Sequence, residues 1–171
     1  QVFSLGLQKE KNKSGQPLVK IDNDGVTFKS HIDGSAHRFT PESAIEIQHK
    51  LGADIIMAFD ECTPDNAPKE YVRQAMERTH NWAVRSLSAH QQFNNLIIKQ
   101  FLFGIIQGAN YKRLREQSAK FICSLDFDGV AVGGESIGYN MTATKKILDW
   151  VYPYLPENKP RYAMGLGLNP A

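Results

Sequence analysis

The segment DIIMAFDECTP runs a string of apolar residues straight into two carboxylates, Asp60 and Glu61, a thiol, Cys62, and a proline. An apolar run that ends in this way is a strand leaving the core at a place where acidic side chains can meet a ligand. Successive strand side chains point to opposite faces, so Asp60, which closes the run, is the carboxylate expected to face a site, with Glu61 turned away. An N-cap or loop role is the plainer alternative for Asp60.

Three further runs end in the same manner. QFLFGIIQG brings Gln107 to the tip of its strand; a carboxamide offers one acceptor and two donors in a plane, suited either to the edge of a heterocycle or to a neighbouring loop. DGVAVGG ends in Gly133 and Gly134, which would let a flat ligand approach bare backbone, or would simply form a turn. RYAMGLG places Met164 and Gly165 at its end, where the thioether could cap a ring or belong to the core. Cys62, beside carboxylates that disfavour a thiolate, is read as packing near the same rim. Together these residues suit a flat polar heterocycle better than a phosphate, a sugar or a metal.

The remaining chemistry-bearing residues point nowhere else. The five histidines, His31, His37, His49, His80 and His90, show no metal-ligand spacing with Cys62 or Cys123 and are read as structural. The lysines Lys9, Lys11 and Lys13 read as a solvated loop. Two cysteines without a C-x-x-C pair fit a reducing compartment, the cytoplasm by default. A net charge of +2 does not by itself announce a nucleic-acid binder, and no apolar run reaches the roughly 20 residues that span a bilayer.

The elements that must position these residues follow from periodicity. In 171 residues, with 42% hydrophobic and 22% charged, one domain is expected. GVTFKSHIDGSAHRFTP predicts a β-hairpin turning at Asp33-Gly34. Thr40-Pro41-Glu42 predicts a helix start, with Ala44, Ile47 and Leu51 on one face and Gly52 at the end. Strands near 54–59, 100–108, 128–134 and 161–167 then alternate with helices near 68–91, 111–124 and 140–155. That order predicts an α/β fold of parallel βα units, whose strand tips share one rim. A complete (β/α)8 barrel takes about 250 residues. The expectation is therefore a partial (β/α)8 TIM barrel over residues 1–171, with about four βα units behind an N-terminal β-hairpin. An open doubly wound sheet is the rival, but no G-x-G-x-x-G opens a helix. The start QVFSLGL, without an initiator Met, and the end GLGLNPA suggest a piece of a longer chain.

DGVTFKSHIDGSAHRFTPESAIEIQHKLGADIIMAFDECTP, LFGIIQGANYKRLREQSA, FDGVAVGG and LPENKPRYAMGLG resemble, in order, segments of the tRNA-guanine transglycosylases. That family exchanges a guanine of tRNA, at the anticodon wobble position, for a 7-deazaguanine such as preQ1 or queuine in queuosine biosynthesis. The resemblance implies a (β/α)8 barrel with an inserted zinc subdomain. It implies that Asp60 and Gln107 read the base, that Gly134, next to Gly133, contacts its carbonyl edge, and that Met164, Gly165 and Cys62 line the pocket. The partners it implies are tRNA and a guanine or 7-deazaguanine base, with a homodimer for the full-length form.

The same resemblance puts both reacting aspartates outside the chain: one in an Asp-Ser-Gly-Gly motif before Gln1, the nucleophile beyond Ala171. No catalytic residue, metal ligand or cofactor is therefore expected within 1–171, and zinc belongs to the full-length protein. Glu135 and Tyr139 depart from the family pattern after Gly-Gly, where small apolar and Glu residues are expected. Two other readings stand beside this one: a non-catalytic accessory subunit, and a barrel glycoside hydrolase using Asp60 and Glu135.

Overall fold

The computed structural model describes residues 19–30, 32–93, 99–134 and 137–166. The readings of Lys9, Lys11, Lys13, His31, Glu135 and Gly167 lie outside them, and with Glu135 goes the carboxylate pair of the hydrolase reading.

The hairpin forms and gains a strand. β1 (Val19–Ile21), β2 (Val26–Lys29) and β3 (Ala36–Phe39) make an antiparallel sheet in sequence order. The turn at Gly34, φ +75°, is closed by the Gly34 N–H donating to the Ser30 carbonyl at 3.0 Å. This sheet is anchored to the rest of the molecule: the Trp82 indole N–H donates to the Asn23 carbonyl at 2.7 Å, and Arg85 Nη1 to the Asp24 carbonyl at 3.4 Å.

α1 (Pro41–Leu51) begins as predicted. Thr40 and Ser43 form a reciprocal capping box, Pro41 takes the first turn, and Gly52 closes the helix at φ +73°. Its buried face is not the expected one. Ile45 and Pro41 are buried, whereas Ile47 and Leu51 are 40% and 77% exposed. Pro41 and Ile45 are one turn apart, and the same stripe carries Gln48, whose amide bonds both the N–H and the carbonyl of Met57 at 2.9 Å. That polar tie to the next strand fixes the helix rotation against a plain hydrophobic reading.

Parallel strands and helices then alternate: β4 (Ile55–Met57), α2 (Lys69–Phe93), β5 (Phe101–Ile106), α3 (Lys112–Ser124), β6 (Gly129–Val132), α4 (Met141–Val151), a 3-10 turn (Tyr152–Tyr154) and β7 (Arg161–Ala163). The sheet order is β4-β5-β6-β7 with all pairings parallel, so the four tips lie side by side. β4 is shorter than expected, and the predicted final helix breaks at Tyr152.

One face of this sheet packs on the helices, where Ile56, Leu102, Ile106 and Val132 meet Ile45, Ile122 and Ile147. On the other face Phe103, Ile105 and Ala131 are buried, yet Ile55, Phe101 and Tyr162 are 50%, 41% and 47% exposed. Along β4, accordingly, the helix-facing Ile56 is buried and Ile55 is not.

Helix and sheet approach most closely at Gly104, where an added Cβ would lie 2.5 Å from Phe127 and 2.7 Å from Ile122. Gly104→Ala is expected to destabilise the fold by about 1–3 kcal/mol through overpacking. Urea denaturation checks it; a midpoint shift equivalent to less than about 0.5 kcal/mol, the range of a surface change, would contradict the packing.

Candidate functional site

Asp60 sits just past β4 and is positioned from α2. The hydroxyl of Ser86 accepts the Phe59 N–H at 3.1 Å and that of Thr79 accepts the Glu61 N–H at 3.0 Å, so the backbone is gripped on both sides of Asp60. Glu61 turns the other way, as alternation requires, and is buried. Arg78 bonds it at 2.7 and 3.2 Å and the Tyr71 hydroxyl donates to it at 2.7 Å. Burial first, and Glu61 next, push the Tyr71 hydroxyl up to about 12. Glu61 is thus a structural carboxylate, and Asp60 alone is left for a ligand.

Gln107 closes β5 and is almost wholly buried. Its Nε2 donates to the Asp60 carboxylate at 2.6 Å, while its Oε1, also buried, has no hydrogen-bond partner among the described residues. Burial pushes the Asp60 carboxyl up to about 6, against the lowering influence of the Gln107 bond and with a small push from Glu61. The backbone of Gln107 is held from α3: its N–H donates to Ser118 Oγ at 3.1 Å, and Ser118 Oγ lies 3.2 Å from His80 Nε2. The His80 ring beside it is kept neutral by burial that drives its pKa to about 4.

The glycine pair is required by contact rather than by a simple turn. A Cβ on Gly133 would lie 2.6 Å from Gln107 Nε2, and one on Gly134, at φ +136°, would strike Arg115 Nη2. The pair is therefore a thin wedge between the carboxamide and a buried guanidinium. Met164, partly buried, follows β7, its N–H donating to the Val132 carbonyl at 3.1 Å. Gly165, φ +78°, brings its carbonyl so near Gly138 that no side chain fits there. Cys62 is partly buried and close enough, with Asp65, to favour the charge of Arg115.

A family profile described as queuine tRNA-ribosyltransferase matches residues 1–171. This chain belongs to that family. The queuine tRNA-ribosyltransferase of Herpetosiphon aurantiacus is 53% identical over 167 residues, covering 98% of this chain and 39% of the relative. Those of Ruminiclostridium cellulolyticum and Pelotomaculum thermopropionicum are 52% and 49% identical, each over 98% of this chain and 41% of the relative. The chain thus spans about 40% of the length of the curated queuine tRNA-ribosyltransferases it matches.

Sequence reasoning missed the residues that support Asp60, Gln107 and the glycine pair: Ser86, Thr79, Ser118, His80 and Arg115. Arg115 was visible in principle. It shares a helical stripe with Ser118, Ala119 and Ile122, all buried, and a cation on an apolar face needs a reason. Among the described residues no cluster of three or more His, Cys, Asp or Glu could hold a metal ion. Among those residues, too, no helix is long and apolar enough to cross a membrane.

A carboxyl raised from 3.8 to about 6 binds its proton more tightly folded than unfolded, so Asp60 favours the fold below about pH 4 and opposes it once ionised above about 6. Asp60→Asn is therefore expected to raise Tm at pH 7, the gap closing towards pH 4. Paired melting curves check this; a variant no more stable than the parent protein at pH 7 would contradict the burial of a charge.

Proposed function

We propose that this chain is the base-recognition part of a tRNA-guanine transglycosylase, exchanging guanine at the tRNA wobble position for a 7-deazaguanine. The observation that carries the reading is the buried Asp60–Gln107 pair at neighbouring strand tips. Guanine presents two donors, N1–H and the 2-amino group, beside the O6 acceptor. Ionised Asp60 accepts both donors, the unpartnered Gln107 Oε1 can take a further N–H, and bare backbone at Gly134 can give its N–H to O6. Adenine, with an acceptor at N1, faces the carboxylate unfavourably, and a site built to hydrogen-bond one base rejects the other strongly. The target base must leave its stack to reach such a recess, at a cost of a few kcal/mol.

The same reading makes the architecture a partial (β/α)8 barrel. Its support is the half-bare sheet face at Ile55, Phe101 and Tyr162, since parallel sheets are normally covered on both sides. The whole protein is then a cytoplasmic homodimer in which the reacting aspartates and a zinc subdomain come from residues outside 1–171, while Met164, Gly165 and Cys62 complete the pocket wall.

The test is exchange of radiolabelled guanine into tRNA by the complete protein. Label is expected to enter tRNA, and none is expected with the 171-residue chain alone. A complete protein that binds tRNA without exchanging guanine would instead be the accessory subunit. Asp60→Asn is expected to weaken guanine binding by about 1–3 kcal/mol, the cost of a mismatched buried polar group. Because binding uses the ionised carboxylate, affinity is expected to fall about tenfold per pH unit below pH 6. A flat profile from pH 5 to 7 in a guanine titration removes Asp60 from base recognition.

A further inference from the structure

Arg115 is wholly buried on α3, yet all its bonds go to backbone at the strand tips. Its Nε donates to the Ala109 carbonyl at 2.7 Å, and its Nη1 to the carbonyls of Ile106 at 3.1 Å and Gly133 at 2.6 Å. These three carbonyls belong to the end of β5, the loop after Gln107 and the glycine pair after β6. Nη2 has no hydrogen-bond partner among the described residues and lies against Gly134. Burial pulls the guanidinium down to about 10, which leaves it charged at neutral pH.

Two details show that this is a clamp on conformation. Ala109 is held at φ +45°, a left-handed conformation that a residue with a side chain adopts at a cost, and its carbonyl is the one Nε grips. The Gly133–Gly134 peptide is trans, so its C=O and N–H point in opposite directions. With the carbonyl drawn onto Arg115, the Gly134 N–H is turned away from the guanidinium, and it has no acceptor among the described residues. One turn along α3, Ser118 takes the N–H of Gln107.

We propose that Arg115, assisted by Ser118, is the positioning residue of the base site: it fixes which way the Gly134 N–H and the Gln107 carboxamide face without touching the base itself. The proposal rests on the transglycosylase reading for its readout. It predicts a base-specific defect. Loss of the clamp misplaces groups that meet guanine, whereas a merely structural residue would lower the active fraction and leave the guanine KM unchanged.

Arg115→Lys keeps the charge, but one ammonium cannot reach three diverging carbonyls. In the complete protein it is expected to raise the KM for guanine about tenfold or more, the scale of one lost charge-assisted hydrogen bond. Amide hydrogen exchange at Gln107 and Gly133, whose N–H groups donate to Ser118 Oγ and the Ile106 carbonyl, is expected to accelerate. Ser118→Ala, a small change that serves if Arg115→Lys does not fold, is expected to raise the guanine KM in the same sense and to expose the Gln107 amide. A folded variant with an unchanged guanine KM in an enzyme that otherwise exchanges the base overturns the proposal. If the parent protein exchanges no guanine, the transglycosylase reading fails, and amide exchange at Gln107 and Gly133 then decides the clamp: faster exchange in the variants supports it and unchanged exchange overturns it.

Discussion

The 2.6 Å hydrogen bond from Gln107 to Asp60 is the constraint that organises this molecule. A carboxylate in a recess at neutral pH is held against its own desolvation, and that is tolerable only where it has a donor and a rigid backbone. Each strand tip obtains its rigidity from the helix that follows it. Ser86 and Thr79 of α2 hold the backbone around Asp60, and Ser118 and Arg115 of α3 hold the backbone around Gln107. Hydroxyls suit this task because they accept a strand-tip N–H that has no neighbour left in the sheet, at little cost in volume.

A second layer stabilises the first. Buried Glu61 is held by the partly exposed Arg78 and Tyr71 immediately beside Asp60. One partner removed from such a cluster leaves an uncompensated charge, so the cluster fixes the β4–α2 connection more than it adds net stability. The glycine wedge completes the arrangement: its backbone lies between Gln107 and Arg115, and side chains are excluded from both of its positions. Stability is thereby given up at the rim, in a desolvated carboxylate and a strained Ala109, and regained in the core beneath it.

The order of elements was legible because apolar strands and amphipathic helices have different periods, and the strand tips were legible because Asp60, Gln107 and Gly133-Gly134 interrupt apolar runs. The rotation of α1 was not, since Gln48 overrides the hydrophobic pattern of Ile47 and Leu51 by bonding across to Met57. Neither were the short strand β1, for which VKI is too brief to carry a period, or the true demand for glycine at 133 and 134, which arises from partners distant in sequence. Arg115 and Ser118 sat within a quoted motif, LREQSA, but their partners are backbone groups, which sequence patterns do not display.

The most direct test of the account is a crystal structure of the complete protein with guanine. The base is expected at the tips of β4 and β5, its N1–H and 2-amino group on Asp60 and a further contact on Gln107. Guanine bound elsewhere, with Asp60 and Gln107 bonded only to each other, would contradict it.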